Sequence, residues 1–185
     1  MTEYGDLDCT GEKEWYIAWI SFGRLMNLLE DGMNAALSWN AFDDYHDHDE
    51  AWNIFGLLRN ARNIYTPKKR YYSVRHAYRY ILPGFERIES KSSDVSLRTL
   101  AFSDAAGKEF TIIGMNEGPE STYLEFKLKG LQLEALQSDI SVYVTTADNN
   151  GLRAAGGRIK NDEIFAPGMD VIIPGNSIFT ITTIK

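Results

Sequence analysis

Near Pro83-Gly84 the hydrophobic pattern of the chain changes period, and this change limits the fold more than any other feature. A chain with helical spacing on one side of such a point and two-residue alternation on the other is neither a plain helical bundle nor a plain β-barrel. Before that point, Glu12 to Glu30 places Trp15, Ala18, Trp19, Phe22, Leu25, Met26 and Leu29 on one face at helical spacing. Thr10 is suited to cap this helix, Glu12 and Glu14 favour its first turn, and Gly32 suits a left-handed end. Next comes MNAALSW, Met33 to Trp39. It is too short for a typical helix and too uniformly apolar for a half-exposed strand, so it reads as a parallel strand buried on both faces. A polar loop follows, and then YTPKKRYYSVRHAYRYILPG, Tyr65 to Gly84. Thr66 as cap and Pro67 at the first helical position predict a helix there. Tyr71, Val74, Tyr78 and Ile81 form its expected buried stripe, and Pro83 is its stop.

After Gly84 the period is two. FERIES (Phe85 to Ser90), RTLAFS (Arg98 to Ser103), EFTIIGM (Glu109 to Met115), TYLEFKL (Thr122 to Leu128), ISVYVTT (Ile140 to Thr146), MDVIIP (Met169 to Pro174) and SIFTITTI (Ser177 to Ile184) are strand candidates. The turn signals DAAG, NEGPE, DNNG and PGNS separate them. Short strands at near-regular spacing predict an antiparallel β-sandwich. No Ser/Gly-rich spacer divides the two halves, so Pro83-Gly84 is expected to join them directly.

Charge and composition exclude some functions. The formal net charge of −7 argues against a nucleic-acid or anionic-membrane partner. No apolar stretch reaches the ~20 residues of a membrane span. Cys9 is the single cysteine, which rules out an internal disulfide and a Cys-based zinc site. The stretch from Met1 has no basic region followed by an apolar core, so no signal peptide is expected on it, and the sequence does not give the compartment.

Two stretches carry candidate chemistry. The first is MTEYGDLD, Met1 to Asp8, where Glu3 sits beside Tyr4 and Gly5 with two further acids behind it. The second is DDYHDHDE, Asp43 to Glu50, the densest polar run, directly after the expected parallel strand. Three readings of that run stay open. Asp43, Asp44, His46 and His48 supply donors and acceptors for a hydroxyl-rich ligand, or they ligate a divalent metal, or they form a solvated acidic loop. No recognised ligand spacing supports the metal. Trp39 is suited either to stacking on an apolar sugar face or to core packing. His76, beside Arg75 and Arg79 on a helix, reads as structural, and Cys9 has no histidine at a telling spacing.

Taken in order, TEYG, a helix, NAALSW opening into NAFDDYH, a helix ending YILPG, and a β-rich remainder resemble the C-terminal part of retaining glycoside hydrolases. The clan is that of the (β/α)8 barrels in families 5, 30 and 39, with family 30 and its C-terminal β-sandwich the nearest. The resemblance implies an α+β composite. Residues 1–84 would be the last two β/α units of a barrel, and residues 85–185 an antiparallel β-sandwich. It implies Glu3 as nucleophile at the end of barrel strand seven, and Trp39 lining a sugar subsite at the end of strand eight. Tyr4, Asn40, Asp43, Asp44, His46 and His48 join Trp39 as expected substrate-binding residues. No metal or cofactor is implied. A full barrel takes about 250 residues, and the family's acid/base comes from strand four, which this chain lacks. The expected partners are therefore a carbohydrate substrate and a missing N-terminal barrel portion, or self-association in its place, and the isolated chain is expected to be inactive. The alternative is a noncatalytic β-sandwich module that binds carbohydrate or braces a barrel.

Overall fold

The computed structural model describes residues 3–5, 14–44, 56–61, 63–124, 128–130, 139–149, 152–158 and 171–185. Their elements are β1 (Glu3–Tyr4), α1 (Glu14–Glu30), β2 (Leu37–Ser38), β3 (Phe42–Asp44), β4 (Leu58–Ala61), β5 (Ile64–Pro67) and α2 (Lys69–Tyr78), followed by a run of strands. That run is β6 (Glu86–Ile88), β7 (Leu97–Ser103), β8 (Phe110–Asn116), β9 (Thr122–Leu124), β10 (Asp139–Thr145), β11 (Leu152–Arg158), β12 (Val171–Ile173) and β13 (Ser177–Thr182). The chain divides into two compact units, Met1–Arg75 and His76–Lys185, and the division falls within α2. The whole is a mixed α/β chain with few helices and mainly antiparallel sheets. Among the described residues, no helix is long and apolar enough to cross a membrane.

In the first unit, α1 buries Ala18, Ser21, Phe22, Leu25 and Met26. It ends as its sequence predicts. Gly32 takes a φ of 85°, its amide donates to the Leu29 carbonyl at 3.2 Å, and the Met33 amide reaches the Leu28 carbonyl at 3.0 Å. This pair of bonds is a Schellman end. Thr10 and Glu12, the expected cap and first-turn acid, lie outside the described residues. Strand β2 is shorter than the expected Met33 to Trp39 and pairs in parallel with β1, Glu3 opposite Leu37 and Tyr4 opposite Ser38. The parallel direction was expected. Burial on both faces was not found, because Leu37 is 64% exposed.

The stretch expected to be a polar loop instead folds into a three-stranded sheet. Strand β4 lies between β3, to which it is parallel, and β5, to which it is antiparallel. Asn63, at a φ of 64°, sits in the β4–β5 turn, a left-handed position that asparagine tolerates. Thr66 and Pro67 belong to β5, so they do not cap and open α2 as expected. The helix starts at Lys69, whose amide donates to Glu14 Oε2 at 3.3 Å, and the other Glu14 oxygen accepts from Arg59 Nη2 at 3.0 Å. A carboxylate from α1 thus satisfies an amide that the helix leaves unpaired.

In the second unit, six strands form one sheet in the order β11-β10-β13-β8-β7-β6, antiparallel throughout. Strand β13 is buried along its whole length. On one face Phe179 and Ile181 join Phe110, Val142 and Val144, and Val171 and Ile173 of the two-stranded β9–β12 sheet pack onto them. Gly114 lies directly opposite Phe179. A Cβ there would meet the Phe179 ring and stand 2.7 Å from the Arg98 carbonyl oxygen, so only glycine lets the ring lie flat on the sheet. A cleft of about 1240 Å3 opens beside this core, lined in part by Ile88, Thr99, Ala101, Leu124 and Lys129. On its rim the Ser96 hydroxyl, and then the Ser96 amide, hold the Asp94 carboxyl below its usual range, while Asp94 Oδ2 accepts from Thr122 at 3.2 Å.

The opposite face of β13 presents Ile178, Thr180 and Thr182. Here the end of α2 supplies what the buried hydroxyls need. His76 Nδ1 is 2.6 Å from Thr180 Oγ1 and His76 Nε2 is 2.8 Å from Thr145 Oγ1. Thr180 also donates to the His76 carbonyl at 3.2 Å, so Nδ1 is the donor to Thr180. Thr111 donates to the Tyr80 carbonyl at 2.6 Å, and the Tyr80 ring stacks on Tyr143 at 4.9 Å. The buried residues of this helix and its end are Arg70, Ser73, Val74, His76, Ala77 and Tyr80. The expected stripe of Tyr71, Val74, Tyr78 and Ile81 is rotated, with Tyr78 exposed. Hydroxyl partners, not apolar content, set the buried face. The Phe85 amide donates to the Leu82 carbonyl at 3.0 Å with Gly84 at a φ of 89°, a type II turn that passes straight into β6.

His76→Ala removes the side-chain partner of the buried Thr145 hydroxyl and leaves Thr180 only its bond to the residue-76 carbonyl, each lost bond costing about 1–3 kcal/mol. Urea unfolding of the variant is expected to show a loss of about 2–4 kcal/mol. A loss below about 0.5 kcal/mol, the range of an ordinary surface change, would show that the Thr145–His76–Thr180 bridge does not hold the sheet.

Candidate functional site

Parallel pairing places the ends of β1 and β2 side by side. The Trp39 amide donates to the Tyr4 carbonyl at 2.6 Å, continuing the ladder one residue beyond β2. Gly5 faces Trp39, and a Cβ on Gly5 would stand 3.2 Å from the Trp39 Cβ. The glycine that follows Glu3-Tyr4 therefore makes room for the tryptophan of the neighbouring strand. Tyr4 is buried, and Trp39 is 52% exposed. Arg24 of α1 donates to the Gly5 carbonyl at 3.5 Å.

Asn40 turns the chain out of this pair. Its φ is 103°, and its side-chain oxygen accepts from the Phe42 amide at 3.0 Å. Its carbonyl accepts from the Leu57 amide at 3.0 Å, and the Ala41 carbonyl accepts from Leu58 at 2.9 Å. An Asx turn of this kind is a local device that bends backbone, and here it hands the chain from β2 to β3. Asp43 and Asp44 lie in β3, in register with Arg59 and Asn60. His46 and His48 lie outside the described residues. The structure thus brings Glu3, Tyr4, Trp39 and Asn40 together at the C-terminal ends of two parallel strands, and Asp43 and Asp44 follow within the next strand.

Sequence reasoning missed Gly5 as the residue that admits Trp39, and it missed β4 and β5 altogether.

No family model matches the sequence, and no curated protein matches it significantly. Solved structures do match in fold. An endoxylanase of glycoside hydrolase family 30 from Clostridium papyrosolvens superposes with a TM-score of 0.69 at 19% identity, over 98% of this chain and 40% of that one. Xylanase C of family 30 from Talaromyces cellulolyticus gives 0.68 at 18% identity, over 98% and 39%. The fold is that of part of a family 30 glycoside hydrolase. An endo-β-1,6-glucanase matches as well, with a TM-score of 0.57 at 14% identity, over 100% of this chain and 35% of the glucanase. The chain spans about two fifths of the length of the family 30 structures it matches.

The Gly5–Trp39 contact is open to direct test. Gly5→Ala adds a methyl 3.2 Å from the Trp39 Cβ, so the strand ends must give by a few tenths of an ångström. The Trp39 indole N–H resonance is expected to shift while those of Trp15 and Trp19 in α1 stay in place. Unmoved Trp39 signals would mean that the two strand ends do not meet as described.

Proposed function

We propose that the chain is the C-terminal part of a retaining glycoside hydrolase acting on a poly- or oligosaccharide. In this reading residues 1–84 are the last two β/α units of a (β/α)8 barrel, and residues 85–185 are its β-sandwich. The observation that carries it is the parallel β1–β2 pair, which sets Glu3 and an exposed Trp39 on the C-terminal ends of adjacent strands. In (β/α)8 enzymes that end of the strands holds the chemistry. The fold shared with xylanases and a glucanase supports the substrate class.

The proposed chemistry is a double displacement. The Glu3 carboxylate attacks the anomeric carbon as the bond to the leaving oxygen breaks, and a second carboxyl group protonates that oxygen. Water, deprotonated by the same second group, then cleaves the glycosyl–Glu3 ester. The two groups must stand about 5–5.5 Å apart. In this proposal the second group comes from barrel units outside these residues. Trp39 offers an indole face to the sugar ring, and Tyr4, through its carbonyl, fixes the Trp39 backbone. Asn40, Asp43, Asp44, His46 and His48 are proposed to hold hydroxyls around it. A second reading, a noncatalytic carbohydrate-binding module, is favoured by the cleft of about 1240 Å3 in the second unit, whose lining mixes Glu86, Asp94 and Lys129 with Tyr123 and Leu124.

Glu3→Gln in the intact barrel is expected to lower turnover of an activated aryl glycoside by at least about a thousandfold, as loss of a covalent nucleophile does. Azide is expected to restore part of it and to yield the glycosyl azide of inverted configuration. Near-normal turnover by the variant would remove Glu3 from the reaction. The purified 185-residue chain alone is expected to hydrolyse nothing, since one carboxylate cannot serve as both nucleophile and acid.

A further inference from the structure

Between Glu50 and Glu86 the sequence has no acidic residue, although the chain as a whole carries a formal charge of −7. Helix α2 lies in that stretch, and its two faces are unlike. One buries Arg70, Ser73, Val74 and Ala77. The opposite one, at spacings of three and four, presents Tyr71, Arg75 and Tyr78, with Arg79 following at the helix end. Tyr78 is 45% exposed, Arg79 is exposed, and Tyr71 and Arg75 are half-buried. Neither Arg75 nor Arg79 is in an ion pair among the described residues. They stand one turn apart, about 6 Å along the axis, where two like charges repel and do not stabilise the helix. The side chains around them are already held. Tyr71 and Tyr72 meet edge to face at 5.2 Å and 87°, and the Arg79 guanidinium lies 5.7 Å from the centre of the Tyr80 ring.

A face of arginine and tyrosine, without lysine or acid, has the composition of a protein interface, where Tyr and Arg are enriched and Lys, Asp and Glu depleted. Side chains fixed in advance also lose little freedom on binding. The charge selects the partner. Two copies of this face across a two-fold axis would bring four arginines together, which disfavours a symmetric dimer through it. A helix with carboxylates one turn apart matches it, since each guanidinium fork takes a carboxylate in two parallel bonds. We propose that the outer face of α2 docks an acidic helix of a partner protein. Arg75 and Arg79 hold carboxylates one turn apart, and Tyr78 packs beside them. The proposal goes beyond the glycosidase reading and uses neither Glu3 nor Trp39.

The probe is an alanine-rich helical peptide with glutamate at every fourth position, titrated calorimetrically into the full chain. Binding is expected to weaken as salt is raised. Affinity is expected to fall about tenfold in Arg75→Gln and in Arg79→Gln, and by a smaller factor in Tyr78→Ala. Arg75→Lys keeps the charge but not the fork, so it is expected to recover only part of the loss. Lys91→Gln removes an exposed cation elsewhere and is expected to bind as the unaltered chain does. No binding by the unaltered chain would overturn the proposal, as would unchanged affinity in the two glutamine variants or an equal loss in Lys91→Gln. Tighter binding of polygalacturonate than of the peptide would give the face to an acidic polysaccharide and overturn it too. Urea unfolding checks integrity. A lower midpoint in either glutamine variant would show that the guanidinium serves the fold, and would also overturn the docking face.

Discussion

Strand β13 has no face left for water, and the second unit is built around that fact. On one side Phe179 and Ile181 lie in an apolar core. On the other, Thr180 and Thr182 bring hydroxyls into a place without solvent. Buried hydroxyls are tolerated only when bonded, so the neighbours of β13 are chosen for hydrogen bonding as much as for packing. His76 spans Thr145 and Thr180, and Thr111 links Thr182 to the Tyr80 carbonyl. The sheet can hold polar residues on a buried face because the end of α2 brings matching partners.

The first unit solves the opposite problem. Its parallel pair is two strands wide among the described residues, and it leaves Leu37 and Trp39 in solvent. Open strand edges and exposed aromatic rings are liabilities unless something uses them. In the proposed enzyme, further barrel strands and a sugar ring use them. Gly5 and Asn40 support the same reading from the backbone side. One makes room for the indole, and the other bends the chain immediately after it.

The sequence announced what periodicity can announce. Alternation located β6 to β10, β12 and β13 to within a few residues, because each has β-branched or aromatic residues on a regular pleat. Strand β11, with its LRAAGGR, has none and was not legible. Tertiary partners decided the remaining differences. The start of α2 moved to Lys69 because Glu14 reaches its amide, although Thr66-Pro67 is a sound local start. Its buried face rotated toward His76 because Thr145 and Thr180 wait there. No window of sequence contains a partner 69 or 104 residues away. At the site, Glu3 and Trp39 were legible only through resemblance.

The central claim is that the antiparallel sheet closes its own core while the parallel pair stays open-edged. Residue-resolved hydrogen exchange on the isolated chain tests it most directly. Amides of Val142, Val144, Thr180 and Ile181 are expected to exchange only through global unfolding, and the Trp39 amide, although bonded to Tyr4, through local opening orders of magnitude faster. A Trp39 amide protected as strongly as Thr180 would contradict the account. The first unit would then have a closed core of its own, and the reading of β1 and β2 as strands of an incomplete barrel would fall.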